Sequence, residues 1–523
     1  MKVHAFSAPC RTTCITLAAL VLSACGGDDE IATPAPAASV DAAQACAALA
    51  GKTLAGATVT AATTQAATAT APLYCKVSAT IAPALHLELR LPQQWNGKLY
   101  YEGGGGYDGA IPPLAAGNLS ALQQGYATVN SDSGHTDVPL SAAFALNDTV
   151  AANMFGSLAV PTVMSSAKEM VLAVYGKQPD KSYFEGCSGG GRQALMAAQR
   201  NPNLFDGIIS RAPAYNWVGF IGEFNRTAKA VAAPGGQIST AKLGTLAKAV
   251  RDACDAKDGI IDGIVSNPQA CTFNAASLRC PGGADTGDNC LSDAQLAVVN
   301  SKTSAASFAG GAYTSAAAPL HGNEDDALGW GPWITGNGDV HNAAKYLLQD
   351  STIKNYLARN PAQDSLTYDF ESNLGALYSM AALNDATSTD LRPFRNSNAK
   401  LILWHGGSDS VLSPQATTAY YQGVTSTMGG QAVTDEFVRY YIAPGVGHCE
   451  AGPGADLTDL LSALDAWVVK GTAPGTLAAT KVANGVTQAS RPLCRYPQYP
   501  RYTGPANDPA AAALAANYAC TAP

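Results

Sequence analysis

KSYFEGCSGGGRQALMAAQR, Lys181 to Arg200, decides the fold. KSYFEGCS reads as a strand, and GRQALMAAQR as a helix of strong helix formers. Between them stands Gly186-Cys187-Ser188-Gly189-Gly190. That is the Gly-x-Ser-x-Gly spacing of a nucleophile elbow, a sharp strand-to-helix turn that exposes a serine hydroxyl. With 51 glycines in the chain the five-residue pattern alone is weak; its position between strand and helix gives it weight. Cys187 is unexpected beside such a serine, because a free thiol is a competing nucleophile.

Strands alternating with helices extend on both sides of this stretch. LHLELRLP (from Leu85), WNGKLYYEGGGG (from Trp95) and GYATVNSDSGH (from Gly125) read as strands, the last two running into loops. SSAKEMVLAVYG (from Ser165) has helical periodicity. FDGIISRAPA, AKLILWHGGSDS and EFVRYYIAPGVGHC are again strand then loop. The alternation predicts an α/β sheet. Between Trp217 and about Asn396 the rhythm breaks. This part is rich in Gly, Ala, Asp and Asn and carries GWGPW (Gly329–Trp333). It reads as an insertion between sheet strands, either a lid over the sheet's carboxyl edge or a decorative side domain. The catalytic part is then 43–216 with 397–523, and the lid is 217–396. There is no internal repeat.

A serine hydroxyl is a weak nucleophile; it needs a base, and the base needs an orienting group. Asp409 in HGGSDSVLSP and His448 in GVGHCE each follow a strand, and the order Ser188, Asp409, His448 is that of α/β-hydrolases. If Ser188 and His448 meet, their neighbours Cys187 and Cys449 meet too, and a disulfide is plausible there. It would staple the nucleophile turn to the base loop. Two buried free thiols are the alternative. For the oxyanion, one N–H is expected from Gly189 and another from EGGGGYDG, with Gly106 the choice; a plain tight turn is the alternative. Trp217, His405, Leu412 and Tyr107 are candidates for an apolar, aromatic substrate pocket, and equally for core packing.

Composition narrows the function class. The chain has 523 residues, 47% hydrophobic and 14% charged, with a formal net charge of −8. It has no basic stretch to neutralise phosphates, which argues against a nucleic-acid partner. Residues 1–24 read as a signal peptide: Lys2 and Arg11, a short apolar run, then Leu22-Ser23-Ala24-Cys25, which resembles a bacterial lipobox. Cleavage before Cys25 would leave it lipidated, the only membrane attachment expected; ordinary signal cleavage is the alternative. Residues 25–42 read as a flexible tether. Export implies an oxidising compartment, at the outer membrane, in the periplasm or outside the cell. Thirteen cysteines fall to ten without Cys10, Cys14 and Cys25. Sequence cannot fix their pairing. Proximity suggests Cys46 with Cys75, Cys254 with Cys271, Cys280 with Cys290 and Cys494 with Cys520, which leaves Cys187 and Cys449.

CDAKDGIIDGIVSNPQAC (Cys254–Cys271) crowds Asp255, Asp258 and Asp262 beside glycines. Hard oxygen ligands at this density suit calcium, with the Ile260 and Ile264 carbonyls completing the shell in a structural role away from the triad. An acidic surface loop is the alternative. No organic cofactor is expected.

Cys-Ser in GCSGGGR, Asp in HGGSDSVLSP and His-Cys in GVGHCE together resemble the tannase and feruloyl esterase family. So do WNGKLYYEGGGG, the acidic loop and RPLCRYPQYPRY, and the resemblance runs from about Cys46 to Cys520. It implies an α/β-hydrolase core with a large lid, a calcium ion in the lid, the five cysteine pairs, and hydrolysis of aromatic carboxylic esters by Ser188, Asp409 and His448. The lipobox and KSYFEGCS are similar to the family's terephthalate-monoester branch. Gly189 and Leu412 depart from that branch, which has glutamate and phenylalanine there, and its carboxylate-gripping lid arginine has no evident counterpart. A short-chain esterase and a polyphenol-binding lipoprotein are the rival functions.

Overall fold

The computed structural model describes residues 38–113, 120–506 and 508–523. The signal peptide, Cys25 and most of the tether lie outside them. The tether's end is a correction. Ala38 and Ser39 pair with Trp95 and Gln94, and Asp41 caps the helix that starts at Ala42. A polar stretch becomes ordered there because a strand edge and a helix N-cap take up its backbone. The described residues form one compact unit, and the insertion is part of it.

Ten strands form the central sheet: β1 (Thr53–Leu54), β2 (Ala57–Gln65), β3 (Tyr74–Ile81), β4 (Leu85–Pro92), β5 (Lys98–Glu102), β6 (Ala127–Ser131), β7 (Lys181–Cys187), β8 (Gly207–Arg211), β9 (Lys400–Gly406) and β10 (Val438–Ala443). Their spatial order is β10-β9-β8-β7-β5-β6-β4-β3-β2-β1. From β10 to β6 neighbours are parallel, and from β6 outward they are antiparallel. The chain goes from β5 to β6 on one side, then returns to lay β7 on the other. This reversal is where an open α/β sheet leaves a crevice at its carboxyl ends.

Helices cover both faces. Tyr183, Ile209, Ile402 and Trp404 pack with Leu464 of α4 (Leu460–Lys470). Phe184, Ile208, Leu401 and Leu403, one residue out of phase, pack on the opposite face with α1 (Ala159–Tyr175) and α2 (Gly189–Arg200). Alternate residues point to alternate faces, and both faces are apolar, so the parallel strands read as nearly continuous hydrophobic runs. The run Thr149–Tyr175 is apolar enough to cross a bilayer. Val163, Met164, Met170 and Val171 are fully buried against the sheet, which makes it a core helix.

The insertion begins with α3 (Trp217–Ala232), whose first turn Asn216 caps. It has its own core, including Val231, Leu246, Val298 and Trp330. Arg192 of α2 pins the core to it. Its buried guanidinium donates to the carbonyls of Phe155 and Gly156 at 2.8 Å and of Asn384 at 3.4 Å, and stacks over the Phe155 and Trp217 rings. Deeper in the insertion, Glu223 lies between Lys345 at 3.2 Å and Lys302 at 3.9 Å, all three buried.

Candidate active site

Ser188 follows β7 directly and is the N-cap of α2. Its φ of 60° and ψ of −116° are strained for a residue with a side chain, and strain of this kind clusters at functional sites. The turn needs its glycines. A Cβ on Gly186 would stand 2.6 Å from Gly190, and one on Gly190 2.6 Å from the Gly104 carbonyl. The turn is thereby pressed against the glycine-rich loop after β5.

The two other candidate residues come from the two strands beyond. Asp409 lies in the loop after β9 and His448 in the loop after β10. His448 Nδ1 is 2.7 Å from Asp409 Oδ2. The other oxygen, Oδ1, accepts the N–H groups of Val411 at 2.7 Å and Leu412 at 3.0 Å. Burial pushes the Asp409 carboxyl up. The charges and hydrogen bonds of His448 and His405 overcome this and hold it well below the usual carboxylate range. Ser188 and His448 line one cleft of about 530 Å³. Among the described residues no hydrogen bond joins them; such contacts often tighten only with substrate bound.

Four disulfides pair as proximity suggested, Cys46–Cys75, Cys254–Cys271, Cys280–Cys290 and Cys494–Cys520, and the two cysteines they leave form Cys187–Cys449. Cys187 and Cys449 are 6.0 Å apart at Cα across 262 positions. The bond ties the elbow to the base loop, so Cys187 offers no rival thiol.

Gly106 has φ +56°, and a Cβ there would collide with the Pro139 carbonyl. Gly189 abuts it: a Cβ on Gly189 would lie 2.6 Å from the Gly106 oxygen. The Gly189 N–H is the first of α2, where helix geometry leaves it no intrahelical acceptor. Among the described residues the Gly106 N–H goes to no backbone carbonyl. A network missed in the sequence braces this loop. Asp108 accepts Gln193 Nε2 of α2 at 2.5 Å and the Ser133 hydroxyl. Burial raises its carboxyl to about 6, against the pull of Ser133 and Gln193. Its one sequence signal is its place two residues after the glycine run.

The cleft has two unlike walls. Pro139, Leu140, Trp333, Leu348 and Val411 make an apolar side, to which the insertion contributes Trp333 and Leu348. Trp333 stands edge-on to His448 at 5.7 Å. Tyr100, Glu102, Glu185 and Arg211 make a polar side. Glu185 receives the Tyr100 hydroxyl at 3.2 Å and Arg211 at 3.3 Å. Burial pushes Glu102 up to about 7, against Arg90 and with help from Glu185.

None of the four expected pocket residues lines this cleft. Trp217 and Tyr107 are buried in an aromatic cluster 5.3 Å from each other, with Phe155 beside both. Leu412 faces a separate narrow crevice with Phe220 and Lys302. His405 lies behind Asp409, fully buried. Their apolar bulk or position on β9 took them inward. Trp333 of GWGPW is the aromatic that reaches the base.

In the acidic loop, Asp255 accepts the N–H groups of Asp262 and Gly263, and Asp258 those of Ile260 and Ser266. Asp262 accepts the Ile264 N–H at 3.1 Å and pairs with Arg491 at 2.9 Å. Among the described residues no three acidic, histidine or cysteine side chains gather round one point. Burial raises Asp255, and raises Asp258 to about 6 with Asp262 adding to it. Buried carboxyls in that condition suit a hard divalent cation, whose charge would relieve them. The loop is not remote from the triad. Asn323 accepts the hydroxyl of Ser408, next to Asp409, and donates to the Gly263 carbonyl at 3.3 Å.

The model of the tannase and feruloyl esterase family matches residues 66–521. The mono(2-hydroxyethyl) terephthalate hydrolase of Piscinibacter sakaiensis is 32% identical, over 87% of this chain and 86% of its own. The crystal structure of feruloyl esterase B from Aspergillus oryzae superposes with TM-score 0.79 at 22% identity, over 91% of this chain and all of that one. The tannin acyl hydrolase of Aspergillus niger gives 0.72 at 22%, over 94% and 97%. At these identities the two structures speak for the α/β-hydrolase fold.

Proposed function

The chain belongs to the tannase and feruloyl esterase family and is a carboxylic-ester hydrolase, and from that premise we propose that it cleaves esters of aromatic acids through an acyl-enzyme on Ser188. The observation that carries this is the strained elbow serine sharing a cleft with a histidine already bonded to a buried aspartate. Ser188 Oγ attacks the ester carbonyl and His448 Nε2 takes its proton. Asp409 fixes the His448 tautomer and stabilises the imidazolium. The Gly106 and Gly189 N–H groups receive the oxyanion. The alcohol leaves with the proton from His448, and water, deprotonated by His448, releases the acid. The apolar wall with Trp333 suits an aromatic acyl group. The polar wall suits an alcohol that carries hydroxyls.

The test is a panel of methyl gallate, methyl ferulate, mono(2-hydroxyethyl) terephthalate and p-nitrophenyl butyrate, with Ser188→Ala as control. Turnover concentrates on an aromatic ester, and Ser188→Ala loses at least about a thousandfold. Turnover of the p-nitrophenyl ester alone leaves a short-chain esterase, and an active Ser188→Ala removes the serine mechanism.

Export follows the signal-like N-terminus and five disulfides, with Cys25 as a lipid anchor. Calcium is proposed as a structural ion held by Asp255, Asp258 and Asp262 with the Ile260 and Ile264 carbonyls. It would neutralise the loop's acids and take no part in the reaction. Metal analysis after extensive dialysis finds about one calcium per chain, and chelation lowers the melting temperature. A metal-free protein with unchanged melting defeats the proposal.

A further inference from the structure

Asp409 serves two histidines. Its Oδ2 lies 2.7 Å from His448 Nδ1 and 3.0 Å from His405 Nε2. His405 Nε2 is also 3.3 Å from the Leu412 carbonyl. A carboxylate and a carbonyl only accept, so Nε2 carries a hydrogen; the partners assign it. On the far side of the ring, Nδ1 is 2.8 Å from the Thr417 hydroxyl, on the helix Pro414–Thr427. His405 is fully buried at the end of β9, away from the cleft, and reaches neither Ser188 nor the space substrate would fill.

We propose that His405 is a positioning residue for the triad acid, holding Asp409 Oδ2 in line with His448 and sharing its negative charge. This rests on the triad reading above and adds a fourth member to it. A carboxylate with one histidine on it concentrates its charge on that histidine. With two N–H donors on one oxygen that charge is divided between them, and each is held less strongly. The two backbone N–H groups on Oδ1 and the two ring N–H groups on Oδ2 fix the carboxylate plane from both sides. Thr417 fixes the His405 ring in turn.

Other charges face this group. From the insertion, His321 feels the Asp409 charge, and Lys302 Nζ is 3.4 Å from the Val411 carbonyl. His321 is buried beside Glu324, its Nδ1 3.6 Å from the carboxylate, and Lys302 faces Glu223. Neither reaches Asp409 by a hydrogen bond among the described residues. The direct donors from side chains are His448 and His405.

The experiment compares His405→Leu, His405→Gln and His405→Asn with the parent, reading kcat, KM and the pH dependence of kcat/KM, with folding checked by melting. Glutamine can return a donor near the Nε2 position; asparagine reaches only toward Nδ1. His405→Leu lowers kcat about tenfold, leaves KM within about twofold, and moves the acid limb of the profile up by about half a unit to one unit. His405→Gln recovers most of both changes and His405→Asn does not. If leucine fails to fold, the glutamine and asparagine pair still decides. Equal kcat and pH limbs in those two variants overturn the proposal, as does a leucine variant with the parent's profile. A change in KM alone would make His405 a substrate contact and also overturn it. Ser188→Ala, run in parallel, keeps the two readings apart: if it stays active the triad reading itself has failed, whereas an inactive Ser188→Ala beside a parent-like His405→Leu removes only this inference.

Discussion

The two tryptophans Trp217 and Trp333 belong to the same insertion and have opposite fates. Trp217 is 2% exposed, surrounded by Tyr107, Phe155 and Phe220, with Arg192 over its ring. Trp333 is half-buried, lines the cleft and stands against His448. One joins the insertion to the sheet domain and the other lines the cleft beside His448. An aromatic residue near a catalytic sequence motif is therefore no guide to the pocket. What separates the two is whether the surrounding elements close over the ring.

Four measurements break or sharpen that contrast, from the largest expected effect down. Trp217→Ala leaves a large void and lowers the unfolding free energy by about 3–5 kcal/mol, while KM for aromatic esters stays close to the parent value. A substrate-selective change in KM with intact stability would move Trp217 into the site. Cys187→Ser with Cys449→Ser releases the elbow from the base loop. Activity falls about a hundredfold, more than the denaturation midpoint suggests, because small misplacements of reacting groups are costly. Full activity in that double variant removes the stapling argument. Trp333→Ala lowers kcat/KM for an aromatic ester by about tenfold, and less for a short aliphatic one, with little change in melting. Equal losses on both esters would make Trp333 a prop for His448 rather than a substrate wall.

The smallest effect concerns Asp385, whose carboxylate accepts the Val218 N–H in the first turn of the helix that Trp217 begins. Burial raises its pKa to about 7, against the N–H groups of Val218 and Trp217 and the charges of Arg192 and Arg200. The unfolded chain loses this proton near pH 4, so between about pH 4 and 7 the native state binds more protons than the unfolded one. Stability therefore falls as pH rises through that window. From pH 6 to 7 the drop from this group is about 1 kcal/mol, and Asp385→Asn flattens it. An unchanged slope in the asparagine variant would leave the pH dependence to other buried acids such as Asp108.

The contrast also explains what was readable beforehand. Ser188, Asp409 and His448 each follow a strand of the parallel sheet, and sheet order brings such strand ends together. Strand periodicity and chain order were therefore enough to place all three at those strand ends, and the Cys187–Cys449 pairing followed from their adjacency. The Asp108–Ser133–Gln193 brace was hidden because its members are separate in sequence and individually ordinary. The cleft wall was hidden for a different reason. Trp333 and Leu348 arrive from short helical turns of the insertion, where periodicity is weak and which face turns inward depends on tertiary packing. His405 was left open between pocket and core because it shares a motif with Asp409; its ring is buried between Asp409 and Thr417.

The Cys187–Cys449 bond carries a consequence for how the protein comes into being. Four cysteines, Cys254, Cys271, Cys280 and Cys290, emerge from synthesis between its two halves. Each has a partner only 17 or 10 residues away. Short loops cost less entropy to close than a loop of 262 residues. The local pairs can thus be sealed while Cys187 still waits, so that when Cys449 arrives the wrong partners are already withdrawn. The same late arrival brings His448. On the mechanism proposed above, a truncated or unfinished chain would hold Ser188 without His448, and would stay inert until nearly its whole length has been made.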